Sequence, residues 1–157
     1  MKYFTFAENI TPEYQTCIDA TMKIIPDYEV FKKCPFDIID KYPGNLRWRY
    51  NTARFSWLEK HPNWIWLDAD VVLLKPFDFK REKKVPYFPQ FVGCVNINAI
   101  IGNGCSEIFK ELLENMGPER GSAQRYLSKN LKRVGKIPGG YFTHKGYHLI
   151  RRNDANN

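Results

Sequence analysis

The stretch Trp64-Ile65-Trp66-Leu67-Asp68-Ala69-Asp70-Val71-Val72-Leu73-Leu74 decides how the rest of the chain is read. Apolar residues run without alternation into two carboxylates, and a second apolar run follows. An unbroken run of this kind is how a strand buried on both faces of a sheet reads, and the carboxylates fall where it ends. Burying a carboxylate is costly unless a cation or hydrogen-bond donors compensate it, so Asp68 and Asp70 are expected where the strand opens onto a cation or substrate site. The other reading is a tight turn between two strands, with the aspartates accepting bonds from loop amides. Turn aspartates usually come with Gly, Asn or Pro, and none lies between Asn63 and Lys75, which favours the site.

Upstream, Asn45 is a fitting N-cap for a helix that runs through about Lys60, with Leu46, Tyr50, Ala53 and Trp57 as its apolar stripe. Arg47, Asn51 and Arg54 recur at i, i+4 and i+7, which gathers two guanidinium groups and an amide on one face just before the aspartate strand. Such a face is often merely solvated. Beside two carboxylates it also suits phosphate and sugar oxygens, which match the arginine fork. Nearer the N-terminus, Lys2 to Ala7 reads as a strand. Thr11 and Pro12 open a helix carrying Tyr14, Cys17, Ile18, Thr21, Met22 and Ile25, and a short strand follows near Tyr28 to Lys32. This β-α-β opening is the unit of a parallel sheet.

Downstream, Lys75-Pro76-Phe77-Asp78 breaks the sheet, and strand signals resume from Val85 to Ile101, ending in a tight turn at Gly102-Asn103-Gly104. Two helices are expected next. The first spans Cys105 to Met116, capped by Ser106; the second spans about Ser122 to Val134, with Gly135 as its stop. The tail from Ile137 to His148 is glycine-rich and irregular.

At 157 residues the chain is expected to form a single α/β domain with one core. Its 43% hydrophobic and 15% aromatic content excludes a disordered chain, and no apolar run reaches the roughly 20 residues of a membrane span. With no signal-peptide layout at Met1-Lys2-Tyr3, the expectation is a soluble cytoplasmic protein. Cys17, Cys34, Cys94 and Cys105 lie far apart, fit neither a zinc site nor a disulfide framework, and are expected to be free core thiols. The net charge of +7 is concentrated late in the chain, where Pro118 to Arg152 carries nine Lys and Arg against the single Glu119. That asymmetry suits an anionic partner: a phosphorylated small molecule, nucleic acid, or peripheral contact with an anionic membrane surface.

A hard divalent ion such as Mg²⁺ or Mn²⁺ takes one or two carboxylates and completes its octahedron with water and substrate phosphates. Asp68 and Asp70 offer that minimum. Residues two apart on a strand that ends between them can meet one ion only if the backbone turns, which happens at the carboxyl end where α/β sheets bind ligands.

In these segments the sequence resembles the GT-A fold glycosyltransferases with a DXD motif, especially glycosyltransferase family 32 and, more distantly, family 8. Cys17-Ile18-Asp19 through Ile25-Pro26-Asp27-Tyr28-Glu29-Val30 is similar to the first helix and second strand of family 32. Asn51-Thr52-Ala53-Arg54 resembles its Asp-x-x-Arg helix, with Asn in place of Asp. Trp66-Leu67-Asp68-Ala69-Asp70-Val71 resembles the DXD strand, and Asn98-Ala99-Ile100-Ile101-Gly102 the strand after it. Ala123-Gln124-Arg125-Tyr126-Leu127 resembles the Asp-Gln helix of family 8, with Ala in place of Asp. The resemblance covers most of the chain. It implies a small Rossmann-like GT-A domain with a mostly parallel sheet flanked by helices, using Mn²⁺ or Mg²⁺. The activity implied is transfer of a hexosyl group from a UDP- or GDP-sugar to a glycan, lipid or protein acceptor. It further implies donor contacts from Ala7, Asn51, Arg54, Asp68 and Asn98, metal ligation by Asp68, Asp70 and a C-terminal His, either His144 or His148, and a retaining front-face route in which Asp70, Asn98 and Gln124 serve catalysis.

Two rival readings start from Asp68 and Asp70 and from the late basic residues. A haloacid-dehalogenase-type phosphatase would make Asp68 a nucleophile and Asp70 its acid/base, but it needs a later acidic pair, and after Asp70 the aspartates are Asp78 and Asp154. A nucleic-acid-binding domain would set Arg125, Lys129, Lys132, Arg133 and Lys136 against phosphates, without any recognisable binding motif, so nucleic acid is not the expected partner.

Overall fold

A computed structural model describes residues 1–33, 46–117 and 121–144. Its centre is a six-stranded sheet. The strands β1 (Tyr3–Phe6), β2 (Glu29–Phe31), β3 (Ile65–Leu67), β5 (Tyr87–Phe88), β8 (Ala99–Ile101) and β9 (Gly135–Lys136) are ordered β2-β1-β3-β8-β5-β9. β2, β1 and β3 pair in parallel, β8 lies antiparallel between β3 and β5, and β9 pairs in parallel with β5. Only β8 is reversed in this mostly parallel sheet. The carboxyl ends of the other strands and the amino end of β8 therefore share one edge.

The opening unit forms as its residues dictate. Helix α1 (Pro12–Ile24) carries Pro12 in its first turn, and the Thr11 hydroxyl accepts from the Tyr14 amide at 3.2 Å. It buries Cys17, Ile18 and Thr21, while Tyr14 stays exposed. The Thr21 hydroxyl donates to the Val71 carbonyl and accepts from the Leu73 amide, each at 3.2 Å, tying α1 to β4 (Val71–Leu73). β4 pairs not with the main sheet but antiparallel with β10 (Phe142–His144), in a register that sets His144 opposite Val71.

The strands alternate between two cores, so both faces of the sheet are covered. Phe4, Phe6, Trp66, Phe88 and Ile100 face α2 (Leu46–Lys60), α3 (Glu107–Asn115) and α4 (Ser122–Ser128). Tyr3, Ile65, Leu67, Tyr87, Ala99 and Ile101 face α1, β4 and the segment around Ile137 and Tyr141. β3 is buried throughout, as an unbroken apolar run requires.

Several expectations are corrected. Helix α2 is not amphipathic in the ordinary sense: Thr52, Ala53, Arg54, Phe55, Ser56 and Leu58 are all buried, because both the sheet face and α3 pack against it and leave little solvated face. The region from Val85 to Ile101 is broken by β6 (Gln90–Phe91) and β7 (Cys94–Val95), a separate hairpin turning at Val92-Gly93. The second late helix ends at Ser128, and Leu131–Arg133 is a single 3₁₀ turn. Gly135 is not a helix stop but a strand residue, where a side chain would collide with the Tyr87 ring. Ser106 precedes α3 but makes no side-chain cap bond. Cys17 is buried, whereas Cys94 is exposed and no core thiol. Asn45, Cys34 and His148 lie outside the described residues.

Candidate active site

β3 delivers Asp68 at its carboxyl end, and the backbone then turns, with the Val71 amide donating to the Asp68 carbonyl at 2.9 Å before β4 starts. The pair Asp68 and Asp70 thus straddles a turn, which lets side chains two apart reach the same space. The Asp68 side chain is held by other side chains rather than by loop amides. Its Oδ1 accepts from the Trp66 indole at 2.7 Å and pairs with the Arg54 guanidinium at 3.0 Å. Arg54 is itself buried, donates to the Ile97 carbonyl at 2.9 Å and lies 4.4 Å from the centre of the Trp66 ring. Arginine, indole and carboxylate form one clamp, and it grips a single oxygen of Asp68.

β10 brings His144 alongside. Its Nε2 lies 3.3 Å from Asp70 Oδ2, and one ligand atom from each of Asp68, Asp70 and His144 falls within 4.8 Å of the others. Two donors on one ion of Mg²⁺ or Mn²⁺ size, each about 2.1 Å from it, sit at most about 4.2 Å apart. A small closing of the side chains would therefore let the cluster share one ion. Two carboxylates and an imidazole suit a transition ion such as Mn²⁺ better than Mg²⁺, which prefers oxygen.

Burial and charge act against each other at the aspartates. Burial holds the Asp68 carboxyl above its ordinary value and Asp70 pushes the same way, while Arg54, the Trp66 indole and His144 pull it down. Burial also raises the Tyr28 hydroxyl, which stays a neutral donor to the Leu67 carbonyl at 3.4 Å, just behind the aspartates.

The remaining predicted residues take different places. Ala7 ends β1 on the same edge, with its amide bonded to the Phe31 carbonyl at 3.0 Å. Asn51 is half-buried on α2, one turn before Arg54. The Asn98 carbonyl accepts from the Asp68 amide at 2.8 Å, and its buried Oδ1 has no hydrogen-bond partner among the described residues. Gln124 is half-buried on α4, which docks on β7 where the Ser128 hydroxyl accepts from the Val95 amide at 3.0 Å. It belongs neither to the carboxylate–histidine cluster nor to the neighbouring cleft.

That cleft, about 340 Å³, opens on the same edge over β8, β5 and β9, with Gln90, Phe91, Asn96, Asn98, Lys136 and Phe142 among its walls. It touches the cluster through Asn98, bonded to Asp68, and through Phe142, two residues before His144 on the same face of β10. Apart from Asn98, and Lys136 as one of the cations set against phosphates, these residues escape a reading of the sequence, as do the roles of Tyr28 and Trp66 at the site. The Trp66 signal is local: an indole N–H two residues before a carboxylate at a strand end.

Two solved structures share this architecture. The crystal structure of a glycosyltransferase involved in the glycosylation of the major capsid of PBCV-1 matches with a TM-score of 0.53 at 18% identity, over 94% of this chain and 84% of that one. The apo form of the glycosyltransferase GlyE of Streptococcus pneumoniae TIGR4 matches with a TM-score of 0.51 at 13% identity, over 87% of this chain and 45% of GlyE, so the chain spans less than half of GlyE's length. No family model matches the sequence, and no curated protein matches it significantly. At these identities the likeness establishes the fold alone: a mixed α/β domain with a mostly parallel central sheet flanked by helices. Among the described residues, no helix is long and apolar enough to cross a membrane.

Proposed function

We propose that this protein is a metal-dependent glycosyltransferase that moves a hexosyl group from a UDP- or GDP-sugar to an acceptor. The observation that carries the reading is the convergence of Asp68, Asp70 and His144 ligand atoms within 4.8 Å, on the ligand-binding edge of a glycosyltransferase fold. In this reading Asp70 and His144 are the direct ligands and Asp68 uses Oδ2, because Oδ1 is held by Trp66 and Arg54. A divalent ion there supplies neutralisation of the charge that develops on the departing diphosphate. Arg54 acts as a positioning residue that aims Asp68. Ala7, just after β1, and Asn51, on α2, are assigned to the nucleotide in this reading. Asn98, beside Asp68, is assigned to the transferred sugar, and the front-face retaining route implied by the resemblance is proposed with Asp70 and Asn98 alone, since Gln124 lies outside both the cluster and the cleft.

Thermal unfolding with UDP, GDP, CDP and ADP, each with and without Mn²⁺ or Mg²⁺, tests the proposal. Selective binding to the folded state at about 100 times Kd adds about 2.7 kcal/mol, a shift of several degrees. The expected result is a rise for one nucleotide that requires the metal. An equal response to all four, or none, overturns the reading.

A further inference from the structure

We infer that the cleft beside the carboxylate–histidine cluster is the acceptor site and that its ligand is the pyranose end of a glycan, a conclusion that rests on the transferase reading and narrows it. The sheet divides the two substrates. β2, β1 and β3 present Ala7 and Asp68 on one side of the cluster, while β8, β5 and β9 present Asn98, Pro89 and Ile137 on the other. A donor held at the cluster and on the parallel half leaves the cleft as the space its sugar faces.

The walls select a sugar. The cleft's 340 Å³ lies at the small end of ligand sites, which suits a short saccharide end rather than an extended peptide. Phe91 is 81% exposed at the cleft mouth, beside the hairpin turn formed by Val92 at φ 50° and Gly93 at φ 75°. A phenyl ring so placed offers a flat apolar surface to the C–H face of a pyranose, and Phe142 supplies a second. The amides are already aimed. Asn96 uses its carbonyl to accept from the Asn98 amide at 2.9 Å, leaving its NH₂ as a donor. Gln90 uses its NH₂ on the Gly135 carbonyl at 3.3 Å, leaving its carbonyl as an acceptor. The buried Asn98 Oδ1 is an acceptor awaiting a donor, and a sugar hydroxyl can both donate and accept. Among the described residues the cleft walls carry Lys136 and no carboxylate, which disfavours a cationic ligand.

The test separates this inference from the transferase reading. The full chain is titrated with methyl β-D-galactopyranoside, methyl β-D-glucopyranoside and methyl α-D-mannopyranoside by saturation-transfer NMR, with and without Mn²⁺ and UDP or GDP. At least one glycoside is expected to bind, and F91A and N96A are each expected to weaken it about tenfold while leaving nucleotide–metal affinity unchanged; F91A keeps the unfolding temperature, whereas N96A lowers it because the Asn98 amide loses its acceptor. Glycoside binding without a nucleotide–metal response supports a sugar site in the cleft and removes the transferase. A nucleotide–metal response with no glycoside binding under either condition overturns the cleft assignment and leaves the transferase standing. Glycoside binding that neither substitution weakens also overturns it.

Discussion

Replacing Arg54 by Met keeps most of the side-chain stem and removes the guanidinium, so it isolates what the clamp on Asp68 contributes. Among the interactions that disappear are the pair with Asp68 at 3.0 Å, the bond to the Ile97 carbonyl at 2.9 Å and the stack 4.4 Å from the Trp66 ring. Breaking a fully buried ion pair costs about 3–5 kcal/mol. The Asp68 side chain keeps 27% of its surface in contact with water, which screens part of the loss, while the orphaned Ile97 carbonyl adds to it. A destabilisation of about 2–4 kcal/mol is expected, a large share of the roughly 5–15 kcal/mol that holds a domain together. Arg54→Lys should recover only part, because one ammonium cannot bond the carboxylate and the carbonyl while lying flat on the indole. The assay is urea unfolding, in EDTA, of wild type, Arg54→Met, Asp68→Asn and the double variant. Their double-mutant cycle should give a coupling of about 1.5–3 kcal/mol, the range for a charged hydrogen bond. A coupling below about 0.5 kcal/mol, within ordinary additivity error, would show that Arg54 does not hold Asp68 and return it to direct contact with substrate.

Asp70→Asn should abolish the metal-dependent rise in unfolding temperature while leaving the metal-free protein as stable as wild type or more so, because one of two neighbouring carboxylate charges is removed without change of shape; paired melts with EDTA and Mn²⁺ decide this. For Asp68 the native carboxyl titrates above 3.8, so its contribution to metal-free stability is complete below pH 3.8 and is lost as pH rises through the native value. Asp68→Asn should flatten that descending limb in denaturant midpoints measured across acid pH. Glu111 has the opposite sign: held below 4.5 by Arg133, which bonds it at 2.6 Å through Nη2, it contributes above that pH and fails as pH falls through the native value, a limb that Glu111→Gln should remove. Gly102→Ala should cost about 1–3 kcal/mol by urea midpoint, because a Cβ there collides with the Pro62 carbonyl; nucleotide affinity of the folded fraction should not change.

Much of the parallel half was legible because its signals are local. Thr11 and Pro12 mark a helix start wherever they precede an apolar stripe, and the run from Trp64 to Leu67 can be buried only inside a covered sheet. The turn between Asp68 and Asp70 was legible in the same way, since nothing else allows two carboxylates there to share a ligand. The other half was not. Tyr87, Gly135 and Phe142 take their roles from partners far away in sequence: Gly135 lies on the Tyr87 ring, and Phe142 pairs with Leu73. Short strands of two or three residues carry no periodicity to detect. Helix α2 misled for a different reason. Its Arg54 looks like a solvated residue in sequence, and only the indole of Trp66, the Asp68 carboxylate and the Ile97 carbonyl, supplied by two later segments, make a buried position tolerable.

That arrangement explains why the central strand tolerates charge at its end. Asp68 would be held at a cost by burial alone, and Asp70 beside it makes the cost larger. Arg54 and Trp66 offset part of it from behind by occupying one oxygen, and His144 offsets part from the front through Asp70. The rear half of the compensation is built from buried groups that have no route to solvent. The front half depends on a half-exposed imidazole carried on β10, a strand of three residues held by β4. A cation bound there would add to the front half of the compensation, and Asp68 Oδ1 would stay with Trp66 and Arg54, which leaves Oδ2 as the oxygen available to it.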